Sequence, residues 1–198
     1  MNSFNDPYNR QSLIKTLRET QEEVADTFRL LALDDFYGHA SGGWSPAETL
    51  SHLIKSGRNL KKSMRRPKIV LRLLYGNNRK PSRQYHQMRE SYQAELIRGY
   101  RAENGQGTLV PDKIDPPTSQ REAENKKTKL LHEWRDLSSN LLQCVESWHE
   151  MHLEAYRLRH PALDLITVRE MLMLTIYHDL YHLHKIQQAH PKKRSRSR

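Results

Sequence analysis

Apolar positions along the chain recur at the helical period far more often than at the two-residue period of strands. Leu13, Leu17, Val24, Phe28 and Leu31 mark one face of a first helix, from about residue 8 to residue 33, with charges on its other side. A glycine-rich loop follows, and then Ser45, Pro46 and Glu48 announce a second helix. Ser45 suits the N-cap, Pro46 the first helical position, where its missing N–H costs nothing, and Glu48 completes a capping box. This helix is expected to reach about residue 66, with Leu50, Leu53, Ile54, Gly57, Leu60 and Met64 as its apolar face. From Arg121 the pattern returns through Leu130, Trp134, Leu137, Leu141, Cys144, Val145, Trp148 and Met151. It predicts a long third helix that ends near Arg159, because His160 precedes Pro161. Thr167 and Glu170 form a second capping box for a last helix from Val168 to about Ala189. Its MLMLTIY segment is apolar on nearly every side, which makes it the most buried of the four.

Between the second and third helices, Pro67, Gly76, Pro81, Gly99, Pro111 and the pair Pro116-Pro117 interrupt shorter helical patches at residues 68–75 and 82–100. This is an elaborated connection, whose last part, residues 102–120, is expected to cross one end of the bundle. No Asn-Gly or Asp-Gly turn joins two alternating runs, so no hairpin is expected. The prediction is an all-α fold: one four-helix bundle with a long crossover, spanning residues 1–190 as a single domain.

Composition narrows the chemistry. The net charge of +10 invites a nucleic-acid reading, but half of it comes from the KKRSRSR segment at residues 192–198. With nothing apolar to bury, residues 191–198 read as a disordered basic tail, and a nucleic-acid partner is not expected. No run approaches the roughly 18 apolar residues of a membrane span, and the first residues lack the order of a signal peptide, so a cytoplasmic protein without a membrane partner is expected. The single cysteine, Cys144, sits in an apolar stripe and cannot build a thiolate cluster, so a metal site would have to rest on histidine and carboxylate.

Among 11 histidines, His178 and His182 stand one helical turn apart in HDLYH, able to reach a single ion. The same spacing also suits two core histidines satisfied by hydrogen bonds, and it does not decide between them. His52 is not nominated by its own helix: periodicity puts it in a polar stripe with Glu48 and Asn59, away from the apolar face. His149 and His152 form a rival pair, three apart, while His39, His86, His132 and His160 read as surface residues. Glu48 is assigned to capping rather than to an imidazole, and Asp179 to a place beside the His pair or an ion pair with Lys185. No Ser-His-Asp triad or phosphate loop is present.

Two segments, GWSPAETLSHLIKSGRN and HPALDLITVREMLMLTIYHDLYHLHKIQ, together resemble the DinB-like superfamily of metal-binding helical bundles. The pattern there is a Trp-Ser pair opening a helix that carries His-Leu, then a last helix with His-x3-His followed by Ile. Here these are Trp44 and Ser45, His52 and Leu53, and His178, His182 and Ile186. The resemblance implies that His52 turns inward and that His52, His178 and His182 hold one divalent ion, zinc or nickel. It further implies a metal-dependent enzyme acting on a small molecule, either a thiol-dependent S-transferase using a low-molecular-weight thiol or a hydrolase-like protein. Basic residues of the connection, Arg65, Arg66, Arg79 and Arg83, are then candidates to attract an anionic thiol, although a solvated basic face explains them equally well. A homodimer formed through the first helix is also implied. The alternative class is a noncatalytic helical interaction protein, with weak nucleic-acid contact through the basic tail.

Overall fold

In a computed structural model, residues 7–39, 43–100, 110–111 and 113–190 are described. Four long helices form the bundle: α1 (Arg10–Leu30), α3 (Pro46–Met64), α6 (Gln120–Glu146) and α8 (Val168–Ala189). Each of α1 and α3 packs against both α6 and α8, so the first two long helices are both neighbours of the last two. The long connection between α3 and α6, which pack against each other, carries α4 (Lys68–Tyr75) and α5 (Tyr85–Ile97). A short α2 (Leu33–Tyr37) follows α1, and α7 (Glu150–Ala155) follows α6. The basic tail, and much of the loop expected to cross the bundle end, lie outside the described residues.

The helices start where capping chemistry puts them. Ser45 accepts from the Glu48 N–H while the Glu48 carboxylate takes the Ser45 N–H, and Thr167 and Glu170 repeat the arrangement on α8. The predicted face of α1 is spent on the core, where Leu13, Leu17, Val24 and Phe28 are all buried. Large apolar side chains are exposed at the end of α1, at Leu30, and on α4, at Ile69, Leu73 and Leu74. Between α3 and α6, Gly57 allows close approach: a Cβ there would lie 2.9 Å from Leu137 Cδ2. Trp134 of α6 buries its ring and donates its indole N–H to the Gln21 carbonyl at 3.0 Å, tying α6 to α1 without an unsatisfied donor.

Two expectations fail in the same place. The third long helix stops at Glu146 rather than near Arg159, and a hairpin stands where none was expected. Ser147 closes α6: its hydroxyl donates to the Cys144 carbonyl at 2.7 Å, and its N–H bonds carbonyls of the last turn. No proline or glycine marks this stop, and buried Trp148 keeps the apolar pattern running through it, so periodicity alone overshoots. Met151, placed on the buried face by that pattern, is 75% exposed on α7. The chain then forms β1 (Arg157–His160) and β2 (Asp164–Thr167), antiparallel, with Leu158 opposite Ile166 and His160 opposite Asp164. Leu158 and Ile166 are both buried against the bundle. Asp164 closes the turn at φ 53°, a left-handed conformation that Asp tolerates better than most residues. Pro161, a helix stop by its sequence, is a turn residue of this hairpin.

Candidate metal centre

His52 comes from α3, and His178 and His182 come from successive turns of α8. Their ring centroids lie 4.9 Å (52 to 178), 4.9 Å (52 to 182) and 4.7 Å (178 to 182) apart. One ring nitrogen from each falls within 4.8 Å of the others, and the Nε2 atoms of His52 and His178 approach to 2.9 Å. Of the stripe that periodicity assigns to solvent, Glu48 and His52 are buried, His52 at 1% exposed, while Asn59 stays exposed. His52 lines a cavity beside the helix instead of the outer surface. Trp44 stands just ahead of the Ser45 cap, its ring 4.8 Å from that of His52 and stacked at 11° on His182 with centroids 6.1 Å apart. It limits how either imidazole can turn.

Burial decides the charge state. Desolvation lowers the pKa of His178 to about 4. It lowers that of His182 well below the ordinary value, with further repulsion from His178, His52 and Lys185. Neutral imidazole is the form that binds metal. The 2.9 Å contact between the two Nε2 atoms requires one to donate and one to accept, so the pair holds a proton where an ion would bring both lone pairs to bear. A tetrahedral ion with nitrogen ligands at about 2.0–2.1 Å sets those nitrogens roughly 3.3 Å apart. The observed separations, from 2.9 Å to within 4.8 Å, bracket that distance, and the three residues fit a single divalent ion.

The carboxylates near the cluster play other parts. Glu48 is engaged by the Ser45 N–H at 2.9 Å and the Ile114 N–H at 3.4 Å, with His39 at 3.6 Å, which is the capping role assigned to it. Asp179 is buried beside His178, Oδ1 to Nδ1 3.5 Å, and burial pushes its carboxyl well up from the ordinary range. Lys185 reaches over the Tyr181 ring at 4.9 Å rather than toward Asp179. Of the basic residues in the connection, Arg83 is bound to Glu170 at 2.9 Å and Arg66 to the Tyr75 hydroxyl at 3.1 Å. The rival pair His149 and His152 lies apart, on the flank of α7, with no third ligand among the described residues.

The cluster opens on a cavity of about 420 Å³, walled by Leu60, Leu96, Leu158 and Leu174, by Trp44, Tyr92, Tyr100 and Tyr181, and by the polar Ser56, Asn59 and Thr175. That volume is within the range of small-molecule sites, about 300–1,000 Å³. Among the described residues no carboxylate lines it, while Arg159 and Lys185 do. His160, read from the sequence as a surface residue, is also in the wall. The hairpin that carries it was not expected, and its only sequence signal was its place just before Pro161.

The model of the DinB superfamily matches residues 9–186 of the chain. The chain belongs to the DinB superfamily. Among solved structures, YfiT from Bacillus subtilis is similar over 91% of this chain and 85% of its own, with a TM-score of 0.56 and 15% identity. YfiT is described as a probable metal-dependent hydrolase with an unusual four-helix bundle topology. No curated protein matches the chain. Membership of the DinB superfamily thus accounts for the bundle of α1, α3, α6 and α8.

Proposed function

We propose that this DinB-superfamily protein is a divalent-metal-dependent enzyme in which His52, His178 and His182 hold one zinc or nickel ion at the floor of the cavity. One observation carries the reading: three imidazoles from two helices converge in a buried place where desolvation keeps His178 and His182 neutral, and the convergence opens on a cavity of ligand size. A closed structural site would have four protein ligands, whereas three histidines leave a position free. Imidazole suits zinc and nickel alike. An ion bound there supplies Lewis acidity to a water, for hydrolysis, or to a low-molecular-weight thiol, for S-transfer to an electrophile.

The protein's own groups do the rest. Trp44 packs on the rings of His52 and His182 and limits their turning, and Leu60, Leu96, Leu158 and Leu174 give the cavity apolar walls. Thr175 donates its hydroxyl proton to the Met171 carbonyl at 2.8 Å and so presents an acceptor. Hydrolysis is placed first because the similar bundle YfiT carries that description, and thiol transfer second on the motif resemblance.

The test begins with elemental analysis of tag-free protein after reconstitution. Wild type is expected to hold about one equivalent of metal and His178→Ala to hold far less. Loaded protein is then offered p-nitrophenyl esters, and separately a thiol with monobromobimane. Metal uptake with ester turnover that His178→Ala abolishes supports hydrolysis, and turnover only of the thiol pair selects S-transfer. No uptake of either ion would leave a helical interaction protein.

A further inference from the structure

His160 is, among the described residues, the one histidine of the cavity wall outside the three-imidazole cluster. It sits at the end of β1, and the turn that follows folds back onto its ring. The Ala162 N–H donates to Nδ1 at 3.1 Å, and the Leu163 N–H approaches the same atom at 3.3 Å. A nitrogen that accepts from two backbone donors carries no proton. A neutral imidazole has one proton to place, so it must be on Nε2. Protonating the ring would put a third N–H against two others, and burial together with the neighbouring His178 already holds its pKa at about 4. The turn therefore locks His160 as a neutral donor through Nε2. Tyr92 packs edge-on against the ring at 5.9 Å and limits its rotation.

Among the described residues no protein acceptor pairs with that Nε2. The same wall offers apolar surface at Leu60, Leu96 and Leu174, and no carboxylate to repel an oxygen rich in electrons. We propose that the Nε2–H of His160 receives the acyl oxygen of the substrate, and that the cavity takes acyl compounds with an apolar flank. This rests on the metal reading given above. It adds a substrate class and a residue that touches the substrate. A fixed, neutral donor costs no reorganisation when charge gathers on the oxygen, and its hydrogen bond strengthens as it does.

Benzoate serves as the probe, because it presents acyl oxygens on an apolar ring. Zinc content of wild type, His160→Gln and His160→Leu is measured first and is expected to be the same in all three, since His160 is not a ligand. Two-bond ¹H–¹⁵N spectra are then expected to show His160 protonated on Nε2 alone from pH 6 to 8, with that proton moving when benzoate is added. Calorimetry on zinc-loaded protein is expected to show affinity for benzoate lower by about tenfold or more in His160→Leu. His160→Gln, which keeps an N–H donor, is expected to retain most of it and to show that the loss is not one of folding. A proton on Nδ1, equal affinities in wild type and His160→Leu, or zinc-loaded wild type that does not bind benzoate would each overturn the proposal. A wild type that takes up no zinc would overturn the metal reading instead, and the first measurement tells the two failures apart.

Discussion

A buried imidazolium without a counter-charge is expensive, and the site contains several imidazoles that burial keeps neutral. His160 and His178 are both held at about 4, against an ordinary 6.5, by desolvation first and, for His160, by His178 as well. In the unfolded chain both regain the ordinary value. Between pH 6.5 and 4 the unfolded chain therefore binds protons that the folded one refuses. Stability is full above that window and is lost as pH falls through it, by up to about 1.4 kcal/mol per pH unit for each such imidazole. Urea unfolding of metal-free protein at pH 7.5 and pH 5 is expected to show this loss. The drop should be smaller in His160→Gln by one proton's share, and an unchanged drop would remove His160 from the account.

At the scale of elements, capping chemistry controls how α8 enters the bundle, and α8 supplies two of the three clustered histidines. Thr167 accepts from the Glu170 N–H and also meets the Ser82 hydroxyl at 2.9 Å, which ties the crossover to the start of α8. Thr167→Ala is expected to destabilise the protein by about 1–2 kcal/mol, since both contacts go. Chemical denaturation checks this, and a change below about 0.3 kcal/mol would mean the cap is dispensable. Such caps are local, which is why Ser45, Pro46 and Thr167 placed the starts of α3 and α8 in the sequence. Lys68–Tyr75 was legible for the same reason, bounded by Pro67 and Gly76. The end of α6 was not, because it depends on Ser147 bonding back to its own last turn, with no glycine or proline as a signal. The hairpin was hidden by its size: two strands of four residues, stabilised by packing Leu158 and Ile166 on the bundle rather than by a strong turn sequence. His178 and His182 were legible as a spacing. His52 was legible only through the motif around it, since its helix alone argues for solvent, and His160 was lost with its hairpin.

Across the whole molecule, the three imidazoles join segments far apart in the chain: His52 and His178 are 126 residues apart and belong to facing helices. An ion held by both helices would bind the folded state and not the unfolded one, so its binding free energy adds to stability by mass action. At a free metal concentration of 100 times the dissociation constant, the gain is about 2.7 kcal/mol. For a chain of 198 residues, 1 kcal/mol moves Tm by about 2–4 °C, so zinc or nickel is expected to raise Tm by roughly 5–10 °C. The rise should depend on metal concentration and reverse with chelator. His52→Ala and His178→Ala should each abolish it, although the substitutions lie on different helices and have different effects on the metal-free protein. Calorimetric scans of wild type and both variants, with and without metal, separate this linkage from nonspecific effects. A similar rise in the variants would place the ion elsewhere. A rise lost in His178→Ala and kept in His52→Ala would mean that α8 binds it alone, and that the convergence of α3 on the site has another cause.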